Sequence, residues 1–487
     1  MGMMQVLRKR ELLADNYLPF VRHADNYTVI TTSRGAFQTM RLNGAAFLTA
    51  DNKSINVLHE RLANAMRQIA DENIMVYSHI VRREDTELPS GVLTSNFGKW
   101  MDEAYTTNLV RNRLFVNDLY VTVFVQPRGL AKLNLSHGAR KARKNDVEVD
   151  ADLLEQLDET VTKLKASLHR YGPEMLGLVK NRLGVICSEP MTFLRELISG
   201  NRSLMPLVNG PIGNAVYTDR VLFGREAFEI RHAGGSTIGG ILGMKDHMPK
   251  TRPTMFDELL SAPFRFVLAQ SFRFLAKGAQ LDEMKLRQGR MDNANDAGVT
   301  QADELTDARD ELMSNAWVMG EHNLSLMILA DTTREKQMAM SDASRMLSDS
   351  GIVVAREDLG IESAFWAMLP GNHGKRLRPA RLNSVNFAAL SSFHNFPSGK
   401  PSGNFWGPAI AKLKTTSGGP YFLNVHKGDL GHTFICGPSG SGKTVFQLFM
   451  MSQLEKFGAK RVLFDKDRGG AIIVRASGGD YLDFKVG

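Results

Sequence analysis

The sequence predicts a mixed fold, with α+β layers over the N-terminal and central regions and an α/β unit at the C-terminus. Three observations carry this prediction. Strand-like runs alternate with single amphipathic helices as far as residue 370, which is typical of small α+β layers such as ferredoxin-like ones. Residues 371–420 are rich in Gly, Pro, Ser and Asn, as joins between domains are. A Gly-rich loop at 437–444 then lies between a strand-like run and a helical run, the arrangement of a βαβ unit.

Composition places the chain among ordinary globular proteins. Its 487 residues are 43% hydrophobic and 23% charged, enough for roughly two to four domains. Cys187 and Cys436 are far apart and show no metal-ligand spacing, which favours reduced thiols in a cytoplasm-like compartment over a disulfide. No apolar run approaches the roughly 20 residues that cross a bilayer, and residues 1–10 lack the apolar core of a signal peptide. Any membrane contact is therefore predicted to be peripheral.

The net charge is mildly basic. There are 60 Lys and Arg against 52 Asp and Glu, which gives +8. Such an excess permits contact with anionic lipid or nucleic acid and requires neither, so a solvated basic surface is the alternative.

Residues 1–130 predict an N-terminal α+β domain without catalytic features. Its first two strands form a hairpin, because a Ser33–Gly35 turn signal joins two β-rich runs. The predicted elements are strands at 27–32, 36–42, 74–81 and 119–125 and helices at 54–71 and 97–115.

Residues 131–175 predict a basic and helical connector. Positive charge is crowded between 132 and 144, just before a helix at 150–171. A linker or exposed helix end is one interpretation, and a patch that binds lipid or a partner is the other. No aromatic residues are interleaved with the charges, so nucleic-acid binding is not indicated.

Residues 176–370 predict a central domain with the same alternation of strands and helices. The Gly-rich run at 234–240 is interpreted as turns, because no Lys-Thr follows it, and 289–298 as a hinge or mobile loop. Scattered histidines show no metal-ligand spacing and are predicted to be structural or on the surface: His232, His247, His322, His373 and His394. The predicted strands are 184–188, 324–330 and 351–355, and the predicted helices are 191–198, 256–277, 302–319 and 335–348.

The chemistry of the chain is concentrated in residues 437–444, which match G-x-x-x-x-G-K-[ST] at every fixed position. The members are Gly437, Pro438, Ser439, Gly440, Ser441, Gly442, Lys443 and Thr444. Glycines let successive backbone N–H groups point at one anion, and the following helix adds the positive end of its dipole. Lys443 is predicted to reach the β- and γ-phosphates of ATP, and the Thr444 hydroxyl to bind Mg²⁺. Residues 421–487 therefore predict part of a P-loop NTPase domain.

The flanking sequence supports this interpretation. Residues 430–436 predict a buried strand before the loop, an amphipathic helix follows it, and 461–465 predict a second strand. A Gly-rich turn with a chance Lys-Thr is the alternative. Asp465 and Asp467 end the second strand and are candidates to lie near Mg²⁺ or a water, while helix capping and turn formation are equally consistent with them.

Several runs around the loop carry a family resemblance. They include Leu390–Pro397, Trp406–Ile410, Leu413–Gly418, Asp429–Thr433, the loop itself and Phe464–Gly469, with fainter similarity at Tyr217–Leu275. Together they resemble the CagE/TrbE/VirB family, the large ATPases that energise bacterial type IV secretion and conjugation systems. The resemblance spans about residue 176 to the C-terminus, so that 176–370 is similar to the family's central domain.

The resemblance implies the first βαβ part of a RecA-like domain in a cytoplasmic ATPase that is peripheral at the inner membrane. It implies a homo-oligomer, a hexamer when complete, that works with inner-membrane channel proteins and sister ATPases. Such an ATPase would energise channel or pilus assembly and substrate transfer. Only 43 residues follow Thr444. The Walker-B carboxylates and any arginine finger are therefore expected to lie in sequence that is absent, and this chain alone is expected to turn over poorly.

Two other functions stay open from the sequence. One is a non-catalytic assembly or scaffold protein of the same system, represented by residues 1–369. The other is a DNA-translocating motor, which shares the phosphate loop and for which the modest basic excess is the sequence support.

Overall fold

The structure is a computed structural model that describes residues 14, 17–129, 147–246, 248, 250–278, 311–466 and 468–484. The predictions for 289–298, His247, Asp467 and the whole basic segment at 132–144 lie outside these residues. The chain divides into two compact units. The first comprises residues 1–83 and 117–395, and the second comprises residues 84–116 and 396–487.

The strands of the first unit are β1 (Phe20–His23), β2 (Val29–Thr31), β3 (Ala36–Leu42), β4 (Ile74–Glu84), β5 (Phe115–Val125), β6 (Pro173–Met175), β7 (Leu178–Lys180), β8 (Ile186–Ser188), β9 (Met205–Pro206), β10 (Arg220–Phe223), β11 (Phe228–His232), β12 (Gly235–Asp246), β13 (Arg265–Phe274), β14 (Met319–Ala330), β15 (Val353–Arg356) and β16 (Ala380–Asn383). β4 and β5 each extend by a residue or two into the second unit. The second unit contains β17 (Ala411–Lys414) and β18 (Pro420–Leu423).

The helices, in chain order, are α1 (Asn52–Gln68), α2 (Asn96–Arg111), α3 (Ala151–Ser167), α4 (Glu189–Ser199), α5 (Ile212–Val216), α6 (Thr333–Asp349), α7 (Ile361–Ala367), α8 (Ser384–Leu390), α9 (Lys443–Gln453) and α10 (Ala471–Ala476). Of these, α2, α9 and α10 belong to the second unit.

One large sheet organises the first unit. Its strand order is β1-β2-β3-β5-β4-β13-β14-β12-β11-β10, with β6 on β3, β15 on β12 and β16 on β14. β13 pairs antiparallel with both β4 and β14. The unit is therefore α+β, as predicted. Because β4 and β13 come from the predicted N-terminal and central domains, the compact units cut the chain differently from the predicted boundaries at 130 and 176.

Helices cover the sheet and bury its apolar side chains. α1 packs against α3 and α8, and α6 packs against β12 and β14. The core includes a stacked pair of Tyr17 and Trp366, with ring centroids 5.1 Å apart. β4 is buried over nine consecutive residues, so both of its faces are covered.

Most of the long elements match the sequence prediction. The hairpin of β2 and β3, the helices α1, α2, α3, α4 and α6, and the strands β4 and β5 lie within a few residues of the predicted bounds. These segments have clear periodicity and end in capping residues. The Asp51 carboxylate, for example, accepts a hydrogen bond from the Ser54 N–H at the start of α1.

Two of the helices predicted in the central region are wrong. Residues 256–277, predicted as a helix, contain a short 3₁₀ turn followed by β13. β13 is flanked by strands and buried on both faces, so its apolar residues show no period-2 pattern that would mark it as a strand. The predicted helix at 302–319 is also wrong at its C-terminal end, because β14 begins at Met319.

The Gly-rich run at 234–240 was predicted as turns; Gly234 does lie in a turn, but residues 235–240 form the first half of β12. Glycine is needed at position 239 because the ring of Phe228 packs directly against the backbone there, and not because the chain turns. A Cβ on Gly239 would lie 2.0 Å from Cζ of Phe228, the cross-strand partner of Gly239. The aromatic ring therefore covers the strand backbone at this position.

The second unit is built from two stretches that are distant in sequence. Residues 84–116 leave the sheet at the end of β4 and return at β5, and they carry α2. Residues 396–487 supply the antiparallel hairpin of β17 and β18, followed by α9 and α10. Across the described ranges of the chain, no helix combines the length and apolar character required to cross a membrane.

Candidate functional site

The predicted phosphate loop leads directly into a helix. α9 begins at Lys443, and its N-cap residue is Gly442, with φ 85°. Gly440 also has a positive φ of 77°. Both conformations favour glycine, so the pattern of glycines in the motif follows from the path of the backbone. A Cβ at either position would meet no atom within 4 Å, because the loop is open.

Lys443 folds back over the loop. Its Nζ atom donates hydrogen bonds to the carbonyl oxygens of Gly437 and Pro438, at 2.8 and 2.7 Å. The ammonium group therefore lies over the loop, satisfied by backbone oxygens that an anion would replace. The Ser441 N–H bonds the Pro438 carbonyl at 3.3 Å and keeps the loop turned. This arrangement fits the terminal phosphates of a nucleotide, since the donors and the cation lie on one open loop.

The predicted strands on either side of the loop are not formed. Residues 431–438 and 459–465 have no ladder partner among the described residues. Phe434 is 89% exposed and Phe464 is 96% exposed, so neither run is buried. A strand is stable when a neighbour takes up its N–H and C=O groups, and no described strand does so here. The expectation of a formed βαβ unit within 421–487 is therefore corrected: the structure contains the loop and the helix without their sheet.

Thr444 and Asp465 occupy neighbouring parts of this region. Thr444 lies in the first turn of α9 and is exposed. The turn at 468–470 packs beside it, because a Cβ on Gly469 would lie 3.3 Å from Cγ2 of Thr444. The Asp465 carboxylate accepts a hydrogen bond from the Gly470 N–H at 2.7 Å and from the Tyr481 hydroxyl at 3.3 Å. These contacts are those of a turn-forming aspartate.

The other end of α9 is fixed by a carboxylate that the sequence did not single out. Oε1 of Glu455 accepts hydrogen bonds from the Thr94 N–H, the Thr94 hydroxyl and the Ser95 N–H, at 2.7, 2.6 and 2.5 Å. Oε2 accepts a fourth from the Ser95 hydroxyl at 2.9 Å. Ser95 also caps α2 by accepting from the Gly98 N–H. The N-terminus of α2 is therefore anchored to the end of the loop helix.

Side chains along α2 and α9 extend this contact. The rings of Tyr105 and Phe449 lie 4.5 Å apart. The Lys456 ammonium contacts Asp102 at 2.9 Å and donates to the side-chain oxygen of Gln453 at 2.6 Å. No local sequence signal links residues 94–105 with 449–456, since about 350 residues separate the partners. The Ser95 N-cap at the start of α2 was the available local signal.

The Glu455 contacts predict a pH-dependent anchor. Burial opposes ionisation of this carboxyl, but the hydrogen bonds from Thr94 and Ser95 outweigh it and lower its pKa to about 2. The ordinary pKa of glutamate is about 4.3, so this stabilisation is complete above that pH and is lost as the pH falls toward 2. We expect Glu455→Gln to speed hydrogen exchange of the first α2 amides roughly tenfold at pH 6. The two proteins should differ much less at pH 3. An equal difference at both pH values would contradict the ionised anchor.

Four of the five histidines that the sequence analysis names lie among the described residues of the first unit, and two of them contact a polar side chain nearby. Nε2 of the buried His322 lies 3.1 Å from the side-chain oxygen of Gln270, and Nδ1 of His394 contacts Asp257 at 2.7 Å. Burial lowers the pKa of His373 to about 4, and nearby arginines add to the effect. His232 is exposed at the end of β11. In the part of the chain that the structure describes, no group of three or more His, Cys, Asp or Glu could hold a metal ion.

Comparison with known families gives two matches. Residues 174–378 match the CagE, TrbE, VirB family, described as a component of type IV transporter systems. Residues 27–132 match the N-terminal domain of the type IV secretion system ATPase VirB4/TrbE. The second match includes residues 84–116, the stretch that carries α2.

Curated relatives extend the similarity over nearly the whole chain. The chain is 43% identical to the type IV secretion system protein virB4 of Bartonella quintana, over 99% of its own length and 62% of that protein. It is 36% identical to the protein virB4 of Rhizobium radiobacter, over 97% and 60% of the two chains. It is 31% identical to the PtlC homolog of Bordetella bronchiseptica, again over 97% and 60%. The chain therefore belongs to the CagE/TrbE/VirB family of type IV secretion system components.

Proposed function

We propose that this chain is the adaptor region and the first part of the motor of a type IV secretion ATPase, which energises channel or pilus assembly and substrate transfer. The observation that carries the proposal is the loop at 437–444. It is open, glycine-shaped and followed at once by α9, within a chain 43% identical to a virB4 protein. The residues proposed to bind ATP are Gly437, Pro438, Ser439, Gly440, Ser441, Gly442, Lys443 and Thr444.

Each part of the loop has a proposed role. Backbone N–H groups and the N-terminus of α9 receive the β- and γ-phosphates, and Lys443 exchanges its two carbonyl partners for phosphate oxygens. The Thr444 hydroxyl is the proposed ligand of Mg²⁺, which supplies positive charge to the phosphates when it is bound. Asp465 is a secondary candidate through a bridging water, because its Oδ2 already holds the turn at Gly470.

Efficient turnover is proposed to need more chain than these 487 residues. The chain spans 62% of the length of the virB4 protein of Bartonella quintana. We infer that sequence corresponding to the unmatched part of that virB4 protein supplies the Walker-B carboxylates and the arginine finger. It would also supply the strands that pair with 430–436 and 461–465. The RecA-like domain is then complete only in the full-length protein. The exposed Phe434 and Phe464 support this inference, because a finished sheet would bury them.

The first unit supports a finer fold proposal. In the order β13-β14-β12-β15, β14 lies antiparallel between β12 and β13, and α6 connects β14 to β15. This is the strand order of a ferredoxin-like layer, with residues 247–264 in place of its first helix. We propose that 1–130 and 176–370 are the N-terminal and central family domains, with 131–175 as connector and 371–420 as the join to 421–487.

The proposed setting is the cytoplasmic side of the inner membrane, with peripheral attachment. Proposed partners are inner-membrane channel subunits and sister ATPases of the secretion system, together with further copies of the chain in a hexamer. The relatives' names place those proteins in type IV secretion systems, which supports the proposed partners.

The test uses the two cysteines of the chain. Cys436 is exposed and directly precedes the loop, whereas Cys187 is buried. We expect MgATP and MgADP to slow maleimide labelling of Cys436, and AMP to leave it unchanged, because the loop recognises the β-phosphate. At a nucleotide concentration of about ten times the dissociation constant, about one loop in ten is free, so Cys436 labelling should slow roughly tenfold. Cys187, read by mass spectrometry in the same samples, should stay unlabelled. Equal labelling of Cys436 with MgATP and AMP would refute the assignment of the loop.

A second candidate is a non-catalytic assembly protein of the same system. The absence of a formed sheet around the loop, within the described residues, favours it for the chain as it stands. ATP hydrolysis by the purified 487-residue chain, lost on Lys443→Ala, would exclude this candidate.

A further inference from the structure

The hairpin of β7 and β8 belongs to a small sheet of the first unit that is separate from the large one. Its loop is closed by Asn181, whose side-chain oxygen accepts hydrogen bonds from the N–H groups of Leu183 and Val185, both at 2.9 Å. The Asn181 backbone adds bonds with Val185 and Gly184. β9 continues the sheet on the far side of β8. The loop is therefore held in one shape by its own hydrogen bonds.

This hairpin presents apolar side chains to solvent. Leu183, at the tip, is 86% exposed. Behind it, Ile186 lies opposite Lys180 on β7, and its carbonyl accepts a hydrogen bond from the Leu207 N–H. The next row of the sheet faces the interior, since Cys187 and Met205 are buried. The exposed apolar members of this "β7–β9 tip" are Leu183, Val185, Ile186, Leu204, Leu207 and Val208.

The exposed charged side chains on the β7–β9 tip itself are both positive. Lys180 and Arg182 are exposed beside Leu183, and neither makes an ion pair with a described residue. Residues 176–218 contain two acidic side chains, and neither is exposed. Glu196 is buried, and the half-buried Glu189 accepts a hydrogen bond from the Gly177 N–H. Asp25 lies near the opposite end of β7 and is bonded to the Tyr27 and Thr28 N–H groups.

We propose that the β7–β9 tip docks on an anionic lipid bilayer, with Leu183 in the interfacial region and Lys180 and Arg182 at the headgroups. The apolar side chains match the interfacial region of such a bilayer, and the flanking cations match its anionic headgroups. This inference rests on the proposed attachment to the membrane and names the surface responsible.

The test measures co-sedimentation of the full 487-residue chain with vesicles of phosphatidylglycerol and phosphatidylethanolamine, and with vesicles of phosphatidylcholine alone. Leu183→Asp is compared with Leu359→Asp. Leu359 is 88% exposed elsewhere in the first unit, so both variants add the same charge to a similarly exposed site. We expect Leu183→Asp to weaken binding to anionic vesicles roughly tenfold or more, and Leu359→Asp to leave it near the parental value. Lys180→Gln and Arg182→Gln should each weaken it roughly fivefold.

Three outcomes would overturn the proposal. In the first, the parental chain shows no preference for anionic vesicles. In the second, Leu183→Asp and Leu359→Asp bind anionic vesicles equally well, which would place the contact on another basic surface. In the third, sedimentation velocity without lipid shows self-association that Leu183→Asp abolishes, so that a second copy covers the tip. Protection of Cys436 by MgATP is measured on the same variants. Unchanged protection in Leu183→Asp shows that loss of vesicle binding is independent of the nucleotide loop.

Discussion

Lys443→Ala is expected to weaken MgATP binding at least about a hundredfold. The ammonium group lies over the loop and donates two hydrogen bonds, to the Gly437 and Pro438 carbonyls, that phosphate oxygens would take over. Charge-assisted hydrogen bonds contribute about 1.5–3 kcal/mol each, and about 2.8 kcal/mol corresponds to a hundredfold change in dissociation constant. Titration with a fluorescent ATP analogue, displaced by unlabelled MgATP, measures the loss.

The same variant should remain folded, which separates recognition from stability. Lys443 is half-buried and bonds only to carbonyls of its own exposed loop. Its removal is therefore expected to change the free energy of unfolding by less than about 0.5 kcal/mol. Lys460→Ala removes a positive charge from an exposed site in the same unit and serves as the control. If both variants bind MgATP with parental affinity, the loop is not the nucleotide site.

Asp85→Ala is expected to destabilise the second unit by about 3–5 kcal/mol. The carboxylate contacts the Lys412 ammonium at 2.9 Å, and both side chains are at least 96% buried. Lys412 also donates to the carbonyls of Asp85 and Glu87, which joins β17 to the segment that leads to α2. Removing the carboxylate leaves a cation in an apolar setting with two carbonyl partners. Hydrogen exchange of the β17 and β18 amides reports the change in opening free energy.

A double variant tests the origin of this loss. Asp85→Ala combined with Lys412→Met removes the stranded charge, and we expect it to recover at least about half of the stability lost by Asp85→Ala. Glu103→Ala, on the neighbouring α2 surface, is the matched control because Glu103 is exposed. A cost below about 1 kcal/mol for Asp85→Ala would show that the buried pair contributes little.

Lys443 and Asp85 are connected through two helices: Lys443 begins α9, and Asp85 belongs to the segment that leads to α2, which contacts α9. Its N-terminus carries the proposed phosphate site, and its C-terminal end is fixed through Glu455, Lys456 and Phe449 to α2. Along the chain, α2 lies between β4 and β5. The helix that would bind phosphate is thus fastened to a segment that lies within the N-terminal family match.

Elements with strong local signals were predicted well. α1, α3 and α6 have an apolar face at helical spacing, and each begins at an Asp or Thr cap. The loop at 437–444 stays a predicted phosphate site, and it could be predicted because a phosphate cradle requires glycine, lysine and threonine at fixed spacing. β13 was missed because it is buried on both faces, which removes the alternating pattern that would identify a strand. The start of β12 was missed because its glycines are typical of turns, whereas here one of them leaves room for the ring of Phe228.

The sequence by itself determined the helices with capped amphipathic faces, the position of the proposed phosphate loop and the family. These depend on residues that are close together in the chain. Only the tertiary structure decided that β4 pairs with β13, that Glu455 accepts hydrogen bonds from the residues just before α2, and that the runs beside the loop lack partner strands among the described residues. Such contacts join residues far apart in sequence. Their stability comes from burial and hydrogen bonding between segments, which no short stretch of sequence encodes.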